Sequence, residues 1–237
     1  MPDPEPLPTR RRFLKTSALA ASTAPLGFPA ITRSASPNGK LQHASIGVGG
    51  MGFNDLSQFA GHADTEVVAI CDVDANHLKR GATKAPGARR YEDWRELLEA
   101  EGDKVDSVNV TVPDHMHAPI AMRAIRAGKH VYCQKPMCHD VAEVRALTDA
   151  AAKAGVVTQL GTQHASGAGN RIAVRWLREG VIGKVEKVVL CANRPGAVER
   201  YRLPGPRPEK GDPVPGTLAW DLWLGTAPGR EFAKGIY

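Results

Sequence analysis

The sequence predicts an α/β chain: a Rossmann-type parallel sheet with helices on both faces, followed by an incomplete α+β second domain. Three observations carry this. Between residues 42 and 160, short apolar runs alternate with helix-length segments, the order that builds a parallel sheet through right-handed crossovers. A glycine-spaced turn, Gly47-x-Gly49-x-x-Gly52, stands between the first run and the first helix. After residue 163 the alternation stops, and the one long strand that remains cannot make a stable second sheet.

The elements follow in order. Gln42–Gly47 reads as the first strand, Gly50–Ala60 as the first helix, and Glu66–Asp72 as the second strand. Ala75–Lys79 starts a short helix, and Trp94–Leu98 has helical apolar spacing after Asp93. Val105–Val112 alternates in part and reads as the third strand. Pro113-Asp114 opens a turn into a helix that carries Pro119 in its first turn, runs to Ala127 and stops at Gly128. His130–Cys133 is the fourth strand, Asp140–Ala154 a helix ended by Gly155, and Val156–Leu160 the fifth strand. Asn170–Glu179 is then a helix, Lys184–Ala192 a long strand, Pro195–Pro215 an extended loop, and Ala219–Leu224 a short buried helix. Trp176, Trp220 and Trp223 read as core. Residues 41–162 form a dinucleotide-binding domain on this reading, and residues 163–237 part of a substrate or oligomerisation domain.

Composition sets the class. Of the 237 residues, 42% are hydrophobic and 24% charged, which is ordinary for a globular protein with a sizeable core. The net charge is +6. Residues 1–36 hold Arg10, Arg11, Arg12, Lys15 and Arg33 against Asp3 and Glu5, so the remainder is too mildly basic to argue for nucleic acid. The basic run has another explanation. Thr9 to Lys15 reads T-R-R-R-F-L-K and resembles the twin-arginine export signal. A mild, Ala-rich stretch from Thr16 to Ala30 follows, too short and too weakly apolar for a membrane span. Residues 1–36 are therefore expected to address the chain, through the twin-arginine machinery, to the periplasm or another extracytoplasmic space. Cys71, Cys133, Cys138 and Cys191 show no paired metal or redox spacing and read as buried free thiols. No metal site is expected; His115 and His117 lack a third ligand nearby.

The glycine stretch, Ile46 to Gly52, states its chemistry residue by residue. Gly47 allows a tight turn, Gly49 has no Cβ to block a pyrophosphate, and Gly52 lets helix and strand pack closely. The N–H groups of Gly50, Met51 and Gly52 open a helix whose positive end suits phosphate. Asp72 follows Gly52 by 20 residues, at the end of the second apolar run, where an acid accepts hydrogen bonds from a ribose diol. Its charge repels a 2′-phosphate, so NAD is expected, with NADP the alternative.

Two further stretches are more specific. Thr111-Val112-Pro113-Asp114-His115-Met116-His117 ends the third strand, and Ala127-Gly128-Lys129-His130-Val131-Tyr132-Cys133-Gln134-Lys135-Pro136 spans the fourth. With the glycine motif they resemble the glucose-fructose oxidoreductase / inositol dehydrogenase / MocA family, whose pattern is G-x-G-x-x-G, then T-P-x-x-x-H, then A-G-K-H-V-x-x-E-K-P. Arg175 to Gly183 matches a later segment of that family. Two positions depart from it: Val112 is inserted between Thr111 and Pro113, and Gln134 stands for the usual glutamate. The resemblance implies that Lys135 lies beside the nicotinamide and assists proton transfer at the substrate. It also implies that Thr111, Pro113, His117 and Gln134 line the cofactor pocket. For His117 a helix-start residue with a satisfied ring is the rival reading. Gln163 is placed at the mouth of the fifth strand, near substrate or in a loop hydrogen bond. The family's G-G-x-x-x-D-x-G-x-H segment is absent from residues 165–237, so a C-terminally truncated member is expected.

The implied activity is hydride transfer between a nicotinamide cofactor and a sugar or cyclitol carbinol, with homo-oligomers in full-length relatives. Two other readings stand beside it: an exported glycosidase that retains NAD and works by transient oxidation and elimination, and a dinucleotide-binding remnant without turnover.

Overall fold

The computed structural model describes residues 39–190 and 210–234. The segment expected to act as an export signal, residues 1–36, and Cys191 lie outside these residues. Six parallel strands form one sheet: β1 (Leu41–Ile46), β2 (Thr65–Cys71), β3 (Arg89–Tyr91), β4 (Ser107–Val110), β5 (His130–Gln134) and β6 (Thr158–Gly161). Their spatial order is β3-β2-β1-β4-β5-β6. The order reverses between β1 and β4, and this is where α/β sheets open a ligand crevice.

Helices α1 (Gly50–Gly61), α2 (Ala75–Gly81), α3 (Trp94–Glu101), α4 (His117–Arg126) and α5 (Val141–Ala154) cover both faces. One face buries Ala44, Ile46, Val108 and Val110 with Leu97, Ile120 and Leu147; the other buries Val48, Val67 and Ile70 with Leu56. Aspartates cap three of these five helix starts. Asp74, Asp93 and Asp140 each accept the N–H two residues on, at 2.6–2.8 Å, which satisfies a donor that the helix leaves free. The start of α1 differs: Gly49 caps it with no side-chain bond.

The structure corrects the sequence reading in three places. Arg89–Tyr91 is a strand, so the predicted third to fifth strands are β4 to β6. It sits at the sheet edge, where Arg89 and Tyr91 both bond Glu101. Burial opposes the Glu101 carboxylate, but the bonds from Arg89 and Tyr91 win and hold it below the ordinary range. Second, Lys184–Leu190 forms no strand; Val188 and Leu190 are exposed, and among the described residues nothing pairs with the segment. Third, Trp176 is not core. It lies on α6 (Ala168–Arg178), which buries no residue among those described, and is 54% exposed. Cys71, Cys133 and Cys138 are buried free thiols as expected, and burial pushes Cys133 up to about 12.

A polar thread runs through the core on the α1 side. His43 is 1% exposed, and its ring stacks on Phe59. Its Nε2 faces Asn109 Oδ1 at 3.0 Å and its Nδ1 faces Ser107 Oγ at 2.8 Å. Asn109 Oδ1 can only accept, so Nε2 donates and Nδ1 takes the Ser107 proton. Burial, partly offset by Asn109, holds the His43 pKa down to about 4 from 6.5. The unfolded chain therefore binds a proton near pH 6.5 that the folded chain refuses until about pH 4. Stability falls as pH drops through that window and levels off below it. The expected loss from this residue between pH 7 and pH 5 is about 2 kcal/mol. Urea midpoints at the two pH values should show it, and His43→Gln should remove that part of the slope.

Candidate functional site: a cleft at the strand ends

The register sets four chemical groups in a row. Ile46 pairs with Cys71 on one side and Val110 on the other, and Val110 pairs with Cys133. The next residues are Gly47, Asp72, Thr111 and Gln134, so all four stand at the same carboxyl edge of the sheet. From Asp72 to Gln134 is three strand intervals, roughly 14 Å. A cavity of about 630 Å³ lies along this edge, lined by Gly47, Gly49, Met51, Gly52, Asp72, Thr111, Pro113, His117, Gln134 and Lys135. The sequence thus places ten of its candidates around one cavity. Gly50 stands exposed at the start of α1, outside the lining.

The glycine turn is as tight as its spacing suggests. Gly47 has φ +83°, and a Cβ there would lie 2.1 Å from the Thr111 carbonyl oxygen. A Cβ on Gly52 would lie 2.0 Å from the Gly47 oxygen. These two glycines hold β1, β4 and α1 in contact. Gly49 instead faces His77, whose ring nitrogen would lie 2.3 Å from a Cβ; no spacing in the motif points to this neighbour.

Asp72 is 9% exposed and gathers the turn. One carboxylate oxygen accepts the Val48 and Gly49 N–H groups at 2.8 and 3.0 Å, and the other accepts the Asp74 N–H at 3.0 Å with His77 Nδ1 at 3.3 Å. The acid therefore shapes the phosphate turn as well as facing the cavity. The turn fits a dinucleotide: its glycines leave space no side chain could share, α1 starts without a side-chain cap, and an acid stands at the β2 end. Gly47, Gly49 and the first turn of α1 would hold the pyrophosphate, and Asp72 a ribose.

At the other end, His117 is 1% exposed, with Nδ1 2.6 Å from the Pro136 oxygen and Nε2 2.9 Å from the Val112 oxygen. Both ring nitrogens are engaged by backbone. His117 thus ties the end of β4 to the Gln134-Lys135-Pro136 turn while one side of it lines the cavity. Gln134 is 4% exposed; its oxygen accepts the Lys135 N–H at 3.1 Å, and its amide donates to Asp55 at 3.0 Å. Gly161 leaves room for it, since a Cβ there would lie 2.9 Å from the Gln134 side chain. Lys135 is exposed at the mouth. Gln163 reaches the same acid, at 3.5 Å from Asp55.

The remaining wall comes from far along the chain. Thr217 accepts the Ala75 N–H at 2.8 Å, and Ala219 donates to the Val73 oxygen at 2.9 Å, directly after Asp72. The short helix α7 (Trp220–Leu224) follows. His115 Nε2 lies 3.1 and 3.0 Å from the Trp223 and Leu224 oxygens. Trp220 is buried and stacks on the half-buried Trp223 with centroids 4.8 Å apart, and both line the cavity. Trp220 and Trp223, read as core, are core on one side and cavity wall on the other.

The profile of the GFO_IDH_MocA family, an oxidoreductase family with an NAD-binding Rossmann fold, matches residues 41–162. The chain belongs to this family. Among GFO_IDH_MocA relatives, the inositol 2-dehydrogenase of Salmonella typhimurium is 32% identical over 48% of this chain and 34% of its own length. Glycosyl hydrolase family 109 protein 2 of Akkermansia muciniphila is 27% identical over 74% of this chain and 45% of its own. GenD2 from gentamicin A biosynthesis, solved in complex with NAD, superposes with a TM-score of 0.56 at 27% identity, covering 60% of this chain and 40% of that one. The chain spans less than half the length of each of these relatives. Among the described residues no three metal-ligating side chains cluster, and no helix is long and apolar enough to cross a membrane.

Proposed function

We propose that the chain binds NAD along the strand-end cavity and serves hydride transfer at a sugar or cyclitol carbinol. One observation carries this: the glycine turn, Asp72 and Lys135 share a single cavity at the point where strand order reverses. When bound, the nicotinamide ring supplies the hydride acceptor or donor. The protein's part is positioning and proton handling. Asp72 fixes the adenosine ribose, the α1 start holds the phosphates, and Lys135 takes the carbinol proton or steadies the forming oxyanion. The S/T-R-R-x-F-L-K match supports export by the twin-arginine route.

The retaining glycosidase is the second reading. Its support is the reach of the glycosyl hydrolase family 109 match, which extends across 74% of this chain. Turnover without consumption of free NAD would favour it over a dehydrogenase.

Titration with NAD+ and NADP+ tests the cofactor reading. The two ribose hydrogen bonds to a charged acceptor, and repulsion of a 2′-phosphate, predict about a hundredfold preference for NAD+. Asp72→Ala should weaken NAD+ by a similar factor and erase the preference. Equal binding of both cofactors by the wild-type chain would remove Asp72 from this role.

A further inference from the structure

Asp55 lies on α1, one turn past the glycine motif. It is 7% exposed. Its carboxylate meets Thr111 Oγ1 at 2.8 Å, Gln134 Nε2 at 3.0 and 3.3 Å, and Gln163 Nε2 at 3.5 Å. Every one of these partners is a neutral donor. Thr111 Oγ1 already accepts from Asn109 at 3.0 Å, so its own proton is directed at Asp55. The Gln134 oxygen is occupied by the Lys135 N–H, so its amide nitrogen is what reaches the acid. An acceptor-only group satisfies the whole pattern.

No cation faces this carboxylate among the described residues. Lys135 is exposed, and only its backbone enters the network. Hydroxyl and amide donors reduce the cost of a buried negative charge but do not neutralise it. The charge is felt nearby: the Tyr132 phenol is held above its ordinary range by burial first and by Asp55 second.

Two of the partners, Thr111 and Gln134, line the cavity at the end opposite Asp72. A dinucleotide with its adenosine ribose on Asp72 and its phosphates on α1 brings its nicotinamide to that end. The oxidised ring is a cation, and the reduced ring is neutral. We propose that Asp55 is the built-in counter-charge for the oxidised nicotinamide ring, making the site hold NAD+ more tightly than NADH. This rests on the NAD reading above. Asp55 acts through Thr111 and Gln134, as a positioning and electrostatic residue, and touches no reacting atom.

The test is a pair of dissociation constants, for NAD+ and NADH, measured on the whole chain. The wild-type chain should favour NAD+ by roughly tenfold, the scale of one partly screened charge pair. Asp55→Asn should bring the ratio close to one. Combining Asp55→Asn with Gln134→Glu moves the carboxylate across one hydrogen bond, keeps the new amide oxygen for the Thr111 hydroxyl and gives up only the long contact from Gln163, so the ratio should return. A wild-type chain that binds NADH as tightly as NAD+ overturns the proposal. So does an Asp55→Asn chain that weakens both forms equally, which is the mark of a purely structural role. If Asp55→Asn does not fold, by thermal melting, the wild-type ratio and the double variant decide: loss of the ratio in a folded double variant overturns the proposal. A folded wild-type chain that binds neither form overturns the cofactor reading itself.

Discussion

Replacing Gly47 by alanine should cost the chain more than about 4 kcal/mol and abolish NAD binding. Two penalties coincide. The residue has φ +83°, a left-handed conformation that costs a side-chain-bearing residue about 1–2 kcal/mol. The added methyl would also lie 2.1 Å from the Thr111 carbonyl oxygen, and that oxygen belongs to a strand end with little freedom to retreat. Relief requires β1 and β4 to separate at the place where the cavity opens. Thermal melting and an NAD+ titration check the two halves. A Gly47→Ala chain that melts like wild type and binds NAD+ would show that the turn is not packed as described. Gly50→Ala is the control: its φ is also positive, at +45°, but nothing lies within 4 Å of its Cβ, so packing there should be undisturbed.

The second large effect is on turnover. Lys135→Met should lower the rate of carbinol oxidation by roughly a thousandfold, the range of a lost proton-transfer group, while the NAD+ dissociation constant changes little. The residue is exposed at the cavity mouth, and among the described residues only its backbone makes a hydrogen bond. The split between rate and affinity is the informative part. Equal losses in both would make Lys135 a binding residue, and an unchanged rate would remove it from the chemistry.

The sheet was legible because buried parallel strands read as nearly continuous apolar runs. Thr65–Cys71 and His130–Gln134 could be located on that signal, and their aligned ends carried Asp72 and Gln134 to one edge. The strand Arg89–Tyr91 escaped because two arginines and a tyrosine carry no apolar period; tertiary pairing with β2 makes it a strand. Lys184–Leu190 failed for the opposite reason. It has the right residues, but a strand exists only by pairing, and no partner stands beside it among the described residues. Asp55 was invisible because a lone aspartate on an amphipathic helix reads as solvent-facing. Its burial depends on Thr111, Gln134 and Gln163, which are brought to it only by the closing of three strands. Trp220 and Trp223 were found as aromatic residues but not as a wall, because Thr217 and Ala219 beside them bond the residues after Asp72 across about 140 positions of chain, and no local pattern records it.

That last contact has a consequence for biosynthesis. The glycine turn and Asp72 leave the ribosome first, but Thr217 and Ala219, which bond the backbone beyond Asp72, emerge about 140 residues later. At roughly 5–20 residues per second, the phosphate end of the site exists for many seconds before its wall does. Firm cofactor capture therefore reports that residues up to about 226 have been made and docked.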